Sequence, residues 1–252
     1  MRLRCAWVGL ALALWGACAI TETANATAST HVWGPSTDVQ AFNVWHITCD
    51  LYLPVYNDDA GSGLPTITNV GLTVGVLPFK KLNMELGFDH KTGLGAVDRY
   101  PLYGNAKIGI PESALGRVSP AVAAGVFDVG TNGNQTDFNI IYGKIAKTFS
   151  LRDWSLGRFS LGYFIGNERL LIDQEGKKDN SGLLAAWERT VPELSDNLWI
   201  CLEYMGTKSA YGCFNAGASW KCASNVAILV GYEVFNNKTL VNTATIQVDI
   251  DL

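Results

Sequence analysis

The end of the chain alternates strictly between apolar and polar residues, and this pattern constrains the fold more than any other feature. In residues 239–252 one set is Ala244, Ile246, Val248, Ile250 and Leu252, and the other is Thr245, Gln247, Asp249 and Asp251. Because successive side chains of a β-strand point to opposite faces, the segment predicts a strand with one apolar and one polar face. The same two-sided pattern recurs along the chain, so the sequence predicts an all-β protein.

The start of the chain has the layout of a secretory signal peptide. Arg2 and Arg4 precede an apolar stretch at residues 5–20, and small and polar residues follow. Cleavage after Ala26 or after Ala28 fits the small-x-small rule, and the sequence does not choose between the two sites.

Three regions follow from this layout. We predict that residues 1–26 are a cleaved signal peptide, residues 27–41 an N-terminal periplasmic segment, and residues 42–252 a single β-barrel domain. A lipoprotein acylated at Cys18 is a minor alternative, because Trp15 stands where a small aliphatic residue is usual.

The composition limits the kinds of environment and partner. Charged residues make up 17% of the chain, below the roughly 25% of soluble proteins. A barrel that hides one face in lipid needs fewer charges than a protein wetted on all sides. The net charge of −4 and the absence of clustered Lys and Arg in the sequence argue against a nucleic-acid partner.

About twelve alternating segments can be counted, bounded by clusters of Gly, Pro, Asn, Asp and Ser. Most have a length near the ~9–11 residues that a tilted strand needs to cross a bilayer. In the first, Trp45, Ile47, Cys49, Leu51 and Leu53 oppose Val44, His46, Thr48, Asp50 and Tyr52. Two middle segments are less regular: residues 121–129 are apolar on both faces apart from Asp128, and residues 139–149 leave the register open.

The connections between segments alternate between long and short, as in barrels with long outer loops and short periplasmic turns. Long or Gly-rich connections lie at residues 58–63, 90–100, 130–135 and 167–181, and shorter ones at 78–81, 192–197 and 221–224. The connection at residues 206–209 is short where a long one is expected, which leaves a miscounted strand open.

Alternation alone does not tell which face is buried, so an exported soluble β-protein with an apolar core remains an alternative. Aromatic residues near strand ends favour a membrane, where they form girdles at the two interfaces. The residues concerned are Trp45, Tyr52, Phe79, Tyr103, Trp187 and Trp220.

Together, the signal peptide, the two-faced strands, the aromatic strand ends and the terminal residues 245–252 resemble bacterial outer-membrane β-barrel proteins, in particular small porin-like barrels. The resemblance covers nearly all of the mature chain and implies a closed antiparallel transmembrane β-barrel of about 12 strands. It also implies location in the outer membrane of a Gram-negative bacterium, contact with outer-membrane lipid, and insertion by assembly machinery that reads the C-terminal strand. The chain ends in Leu252 where many members of the family end in Phe.

The polar face of the predicted barrel is acidic. The residues assigned to the lumen are Asp50, Glu85, Lys107, Asp128, Lys144, Glu188, Glu203, Glu233 and Asp249, with Asp89 and Asp251 towards the rims. Such a lining lowers the energy of cations relative to anions in a confined passage. We therefore expect a small porin or solute channel with an acidic, cation-preferring lumen, and small solutes as its partners.

Two other functions stay open. If several acids are solvated at the rims or paired with Lys107 and Lys144, the protein is a structural or surface-interaction barrel with a blocked lumen. A membrane-embedded lipid-modifying enzyme is the third possibility, because His46 shares a face with Thr48 and Asp50. No catalytic motif accompanies that histidine, so the sequence assigns no catalytic residue, no cofactor and no metal site.

Two cysteines suggest a possible disulfide. A three-residue turn at residues 206–208 would pair Met205 with Ser209 and hence Cys201 with Cys213, both on the inward face. Directly opposed strand residues are close enough to be bridged, and the exported compartment is oxidising. A two-residue turn at 207–208 would shift the pairing by one and leave both thiols free.

Overall fold

The structure is a computed structural model that describes residues 29–55, 64–152 and 154–252. The predicted signal peptide, residues 1–26, and the predicted connection at residues 58–63 lie outside the described residues. Within the described ranges, no helix is both long enough and apolar enough to cross a membrane.

The described residues form twelve β-strands. In chain order they are β1 Trp45–Pro54, β2 Ile67–Gly75, β3 Asn83–Thr92, β4 Leu102–Ile110, β5 Ala121–Gly130, β6 Ile140–Leu151, β7 Trp154–Ile165, β8 Ser181–Thr190, β9 Leu198–Met205, β10 Cys213–Ala223, β11 Val226–Phe235 and β12 Thr243–Asp251. Each strand pairs with its neighbours in the sequence, and β1 pairs with β12 in an antiparallel register. The prediction of a closed antiparallel barrel of about twelve strands is confirmed.

The first and last strands close the barrel. The pairing of β1 with β12 runs from His46 opposite Asp251 to Pro54 opposite Thr243. The start of β1 and the end of β12 therefore lie at one end of the barrel, together with the two-residue connection at residues 224–225. The connections at residues 93–101, 166–180 and 236–242 lie at the opposite end, which we call the long-loop end.

Alternation along the strands separates an apolar exterior from a polar interior. On the outer face, Val70 is 48% exposed, Phe88 50% and Ile141 59%. On the inner face, Glu85 and Glu203 are almost completely buried. The polar interior excludes the alternative of an exported barrel with its apolar rows packed in the centre.

A bulge explains the irregular pattern at the end of residues 121–129, whereas at the start the inward residues are the small Ala121 and Ala123. The β4–β5 register moves from Gly104 opposite Val129 to Ala106 opposite Val126, so two residues of β5, Phe127 and Asp128, stand against one residue of β4. Asp128 has φ 53°, a left-handed conformation that Asp tolerates better than most residues. The bulge turns both Phe127 and Asp128 into the lumen, where they contact Tyr211.

Two of the six aromatic residues expected in girdles lie elsewhere. Tyr52 and Tyr103 are buried and line the lumen, because their positions in β1 and β4 share the inward face with Asp50 and Lys107. Trp45, Phe79 and Trp220 are about half exposed on the outside.

Of the two alternatives for Cys201 and Cys213, the structure has the free thiols and not the disulfide. The connection between β9 and β10 spans residues 206–212, longer than the turn assumed from the sequence. Cys213 therefore lies opposite Met205, and Cys201 lies opposite Gly217. Both thiols are free, because the residue opposite Cys213 is four positions along β9 from Cys201.

Candidate functional site in the barrel lumen

Residues 29–36 form a tight hairpin inside the barrel, which we call the lumen hairpin. The backbone N–H of His31 donates to the carbonyl of Gly34 at 2.9 Å, and the N–H of Ser36 donates to the carbonyl of Ser29 at 3.1 Å. His31 and Val32 are each 1% exposed. The sequence assigned residues 27–41 to a periplasmic segment; residues 29–40 are enclosed by the barrel wall, and residues 41–44 lead to β1.

The wall makes room for the hairpin by lacking side chains at two inward positions. A Cβ atom at Gly217 would lie 2.6 Å from Cγ2 of Val32, and one at Gly231 would lie 2.8 Å from Cγ1. Gln247 on β12 donates from Nε2 to the carbonyl of Val32 at 2.7 Å. The tip of the hairpin is therefore seated against β10, β11 and β12.

Trp33 anchors the hairpin in an aromatic cluster near the long-loop end. Its ring packs against Tyr52 at 5.3 Å and Phe235 at 6.0 Å, both edge-on, and against Tyr211 at 6.2 Å. Its indole Nε1–H donates to the carbonyl of Tyr211 at 3.1 Å. Edge-to-face ring pairs of this kind stabilise a buried contact beyond the area that they remove from water.

Charged wall residues hold the hairpin backbone. Glu203 accepts hydrogen bonds from the N–H groups of Trp33, at 2.9 Å, and Gly34, at 2.8 Å. Lys144 donates from Nζ to the carbonyl of Pro35 at 2.9 Å, and its Nζ lies 3.1 Å from Nδ1 of His31. Buried backbone groups need such partners, and the wall supplies them with opposite charges at the two edges of the hairpin.

Arg158 on β7 joins the wall to the chain beyond the hairpin. Its guanidinium makes two hydrogen bonds to the carboxylate of Asp38, the NH1 bond being 2.7 Å long. Its Nε donates to Glu188 at 2.7 Å, and the same Glu188 oxygen lies 3.2 Å from Nε2 of His31. A bidentate guanidinium–carboxylate pair fixes orientation as well as charge.

Lys107 and Glu85 tie both ends of the segment together. Nζ of Lys107 donates to the carbonyls of Ser29 and Asp38, each at 2.6 Å, and lies 2.9 Å from Oε1 of Glu85. The other oxygen of Glu85 accepts the N–H of Gln40 at 2.7 Å.

The nine residues assigned to the lumen from the sequence all lie on inward positions of the strands. Five of them hold the N-terminal segment, namely Glu85, Lys107, Lys144, Glu188 and Glu203. Asp128 pairs with Lys91 at 2.5 Å, Asp249 lies near His46, and Glu233 accepts a hydrogen bond from Thr243. Asp50 stands apart from these groups, with neutral hydrogen-bond donors.

The sequence analysis did not identify three basic residues that face the lumen, namely Lys91, Arg158 and His31. Lys91 is an even number of positions from the inward residues Glu85 and Asp89 of the same strand. Arg158 is likewise an even number of positions from the inward Gly162, so alternation could have identified both. His31 precedes the first strand and lies in no periodic segment, so nothing in the local pattern signalled its position.

Tyr211, in the connection between β9 and β10, caps the charged pair at Asp128. Burial raises the pKa of its hydroxyl well above the usual range, and the neighbouring Asp128 carboxylate adds to the rise. The hydroxyl stays protonated and donates to Asp128.

His46 is engaged on both ring nitrogens. Nδ1 lies 2.8 Å from Oδ1 of Asp251, and Nε2 lies 3.2 Å from Oδ1 of Asp249. A general base needs one ring nitrogen directed at the group that it deprotonates. The arrangement instead links β1 to β12 at the closing seam.

A cavity of about 460 Å³ remains between the hairpin and the wall formed mainly by β1 to β5. It reaches Leu64, Leu94 and Leu240 at the long-loop end, and His46 and Glu85 near the other end. Opposite, the connection between β7 and β8 folds inward and buries Leu171 among Phe164, Leu184 and Met205. Within the part of the chain that the structure describes, this open space therefore runs along the β1–β5 side of the lumen.

No protein-family model matches the chain, and no curated protein matches it. Among solved structures, it is similar to an outer-membrane channel of the COG4313 group from Pseudomonas putida F1, with 10% identity over 85% of this chain and 96% of that chain and a TM-score of 0.44. A Rhodopseudomonas blastica porin variant matches with 13% identity over 93% of this chain and 68% of that chain, and a TM-score of 0.41. Likenesses this weak assign neither a substrate nor an activity to the chain.

Proposed function

We propose that this protein is an outer-membrane barrel of a Gram-negative bacterium that passes small hydrophilic solutes beside its lumen hairpin and prefers cations to anions. The observation that carries the proposal is the cavity, which reaches from Leu94 and Leu240 to His46 and Glu85 and is lined by two carboxylates that form no ion pair among the described residues.

The exterior supports a membrane location. Soluble monomers rarely expose apolar patches above a few hundred Å², whereas here apolar side chains cover the outside of successive strands, including Leu86, Ile108, Leu161 and Val230. A closed barrel is one of two backbone arrangements that satisfy every main-chain polar group in lipid. The sequence of the signal peptide supports export. Outer-membrane lipid is then the partner of the outer face.

The last strand supports the proposed route of insertion. Ala244, Ile246, Val248 and Ile250 lie on the outward face of β12, and Thr243, Thr245 and Gln247 are buried within. We propose that the barrel-assembly machinery binds this two-faced strand.

The hairpin makes any passage narrow. Twelve strands enclose more space than the eight that side chains alone fill and less than the sixteen of wide pores. The hairpin is seated towards β6 to β12, and Glu85 on β3 and Lys107 on β4 hold the same segment from the cavity side. A solute therefore moves through the remaining cavity along β1 to β5. This geometry favours small hydrophilic solutes over large ones.

The number of lumen acids overstates the free negative charge of the lumen. Most of those acids neutralise Lys91, Lys107, Lys144 or Arg158, or bind the hairpin backbone. Asp50, Asp89 and Glu233 are exceptions, since no ion pair within 4.0 Å joins any of the three to a cation among the described residues. Asp50 and Asp89 line the cavity. A carboxylate with only neutral donors in a confined space lowers the energy of a passing cation.

Planar-bilayer recording tests the proposal. With a KCl gradient across the membrane, we expect conductance and a reversal potential on the cation-selective side. The double variant Asp50→Asn with Asp89→Asn should move the reversal potential towards zero without loss of folding, whereas Glu175→Gln in an exposed loop should leave it unchanged. Heat-modifiable gel migration verifies that each variant is folded.

A blocked structural barrel is the second candidate, favoured by the buried network that seats the hairpin. It predicts no conductance from protein that migrates as a folded barrel. That result would overturn the channel and leave a surface-interaction role.

A further inference from the structure

The cavity beside the hairpin has the size of a small-molecule site, and it is divided into an acidic part and an aromatic part. Its volume of about 460 Å³ falls within the roughly 300–1,000 Å³ typical of small-molecule sites. Acids line one part, and aromatic rings line another, including Trp33, Tyr52, Phe127 and Tyr142. The two parts adjoin on β1, where Asp50 and Tyr52 are successive inward residues.

The acidic part has an excess of two carboxylates. Glu85 pairs with Lys107 at 2.9 Å and Asp128 with Lys91 at 2.5 Å. Asp50 and Asp89 remain, and Asn69 joins them by donating from Nδ2 to Asp50 at 2.9 Å and to Asp89 at 3.5 Å. Their other donors, the hydroxyl of Thr48 at 2.5 Å and the amide of Asn105 at 2.9 Å, are also neutral.

Asn69 supplies an independent indication of a ligand. Its side chain is nine-tenths buried and lines the cavity. With Nδ2 directed at the two carboxylates, Oδ1 is left as an acceptor without a hydrogen-bond donor among the described residues. A buried acceptor without a donor is costly, so this position calls for a group that brings N–H or O–H donors. Next to two carboxylates, a positively charged donor fits best.

We propose that the cavity binds a small organic ammonium ion, a primary amine on a compact apolar body. The ammonium group lies between Asp50 and Asp89 and donates to Oδ1 of Asn69. The apolar body lies against Tyr52, Trp33 and Phe127, whose ring faces also attract a cation. An inorganic ion would use the carboxylates alone and leave the aromatic part of the cavity without a role.

The inference rests on the proposed function in one respect, because the ligand reaches the site through the same solvent-accessible lumen. It deepens that function by naming a class of solute. Binding and conduction are nevertheless separate measurements, so each proposal can fail without the other.

Calorimetric titration of the folded, detergent-solubilised protein tests the site. The probe is 2-phenylethylammonium, and the matched uncharged probe is 2-phenylethanol. We expect saturable binding of the ammonium and none of the alcohol. The Asp50→Asn and Asp89→Asn variants should each weaken binding about tenfold, since a charge-assisted hydrogen bond is lost. Glu175→Gln should bind like the parent protein.

A second probe examines the hydrogen bonds of the ammonium group, including the one to Asn69, without changing the protein. Phenylethyl-trimethylammonium keeps the charge and the ring but has no N–H donor. We expect it to bind about tenfold more weakly than the primary amine, because neither the two carboxylates nor Oδ1 of Asn69 then receives an N–H donor. Equal affinities would overturn the assignment of those hydrogen bonds.

Bilayer recording separates the two proposals. Block of the K⁺ current by the ammonium, with the same dependence on Asp50 and Asp89, supports both. Normal K⁺ current without calorimetric binding overturns the ammonium site and leaves the channel. Calorimetric binding to a barrel without conductance supports the site and overturns the channel.

Discussion

Gly34, in the lumen hairpin, donates its backbone N–H to Oε1 of Glu203 on β9 at 2.8 Å. Trp33 donates to the other oxygen of the same carboxylate, so one wall residue holds both N–H groups. Glu203→Gln replaces one acceptor with a donor and removes the charge. We expect the free energy of unfolding to fall by about 2–4 kcal/mol, measured by urea denaturation in lipid vesicles. An effect no larger than that of Glu175→Gln would contradict the role of Glu203.

Removal of the hairpin should widen the passage. In a variant without residues 29–36, water fills the space that the hairpin occupies. We expect single-channel conductance to rise about twofold or more. Bilayer recording measures it. A variant that folds, as judged by heat-modifiable migration, and conducts like the parent would show that the hairpin is not the constriction.

The contact between Gly217 and Val32 should appear as a coupling energy. Gly217→Ala places a methyl group 2.6 Å from Cγ2 of Val32 and should destabilise the protein by about 1–3 kcal/mol. Val32→Ala removes the colliding atom, so the double variant should lose less than the sum of the single variants. Gly143→Ala is the control, because a Cβ atom there would meet no atom within 4 Å. Strict additivity in urea denaturation would argue against the seating of the hairpin on β10.

The register of β9 and β10 predicts the behaviour of the cysteines. Cys49, Cys201, Cys213 and Cys222 are free thiols among the described residues, so alkylation after unfolding without reductant should modify all four. In Met205→Cys the new thiol lies opposite Cys213, and mild oxidation should join these two positions. Peptide mapping checks both results; a bond between Cys201 and Cys213 would show that the register is wrong.

Glu112, between β4 and β5, provides a test of pH dependence. Partial burial alone would raise its pKa, but hydrogen bonds from Lys147 and Thr148 outweigh burial and hold the pKa below its usual range. A carboxyl whose pKa is lowered on folding stabilises the protein above the pKa of the unfolded chain and loses this effect as the pH falls through the folded-state pKa.

Glu112→Gln should therefore cost about 0.5–1 kcal/mol at neutral pH, and the difference from the parent should shrink as the pH falls below about 4. Urea denaturation at a series of pH values measures it. Lys147→Met removes the same ion pair from the other side and should show the same narrowing. A difference that stays constant with pH would exclude the carboxylate as its source.

Local alternation predicted the barrel because each strand carries its own two-sided pattern. Ile246 and Gln247 report opposite faces of β12 without knowledge of any neighbouring strand. The pattern failed at Phe127 and Asp128, where the bulge places two consecutive side chains on one face. A bulge depends on the partner strand as well as on its own residues, so alternation within β5 could not reveal it.

The inward direction of the lumen acids was predictable, but their partners were not. Glu203 and Gly34 are 169 positions apart, and no short-range pattern relates a carboxylate on β9 to a hairpin that precedes β1. For the same reason, counting acids overstated the free negative charge of the lumen. The turn length at residues 206–212 was misjudged because turn residues and strand residues do not separate clearly there.

The seam between β1 and β12 makes completion of the chain a requirement for assembly. His46 and Asp251 meet across 205 positions of sequence, among the most non-local of contacts and therefore slow to form. Until the nine residues of β12 are made, β1 and β11 present bare main-chain edges that other polypeptides can extend. A ribosome that stops short of Thr243 thus releases a polymerisation template rather than a smaller version of the same protein.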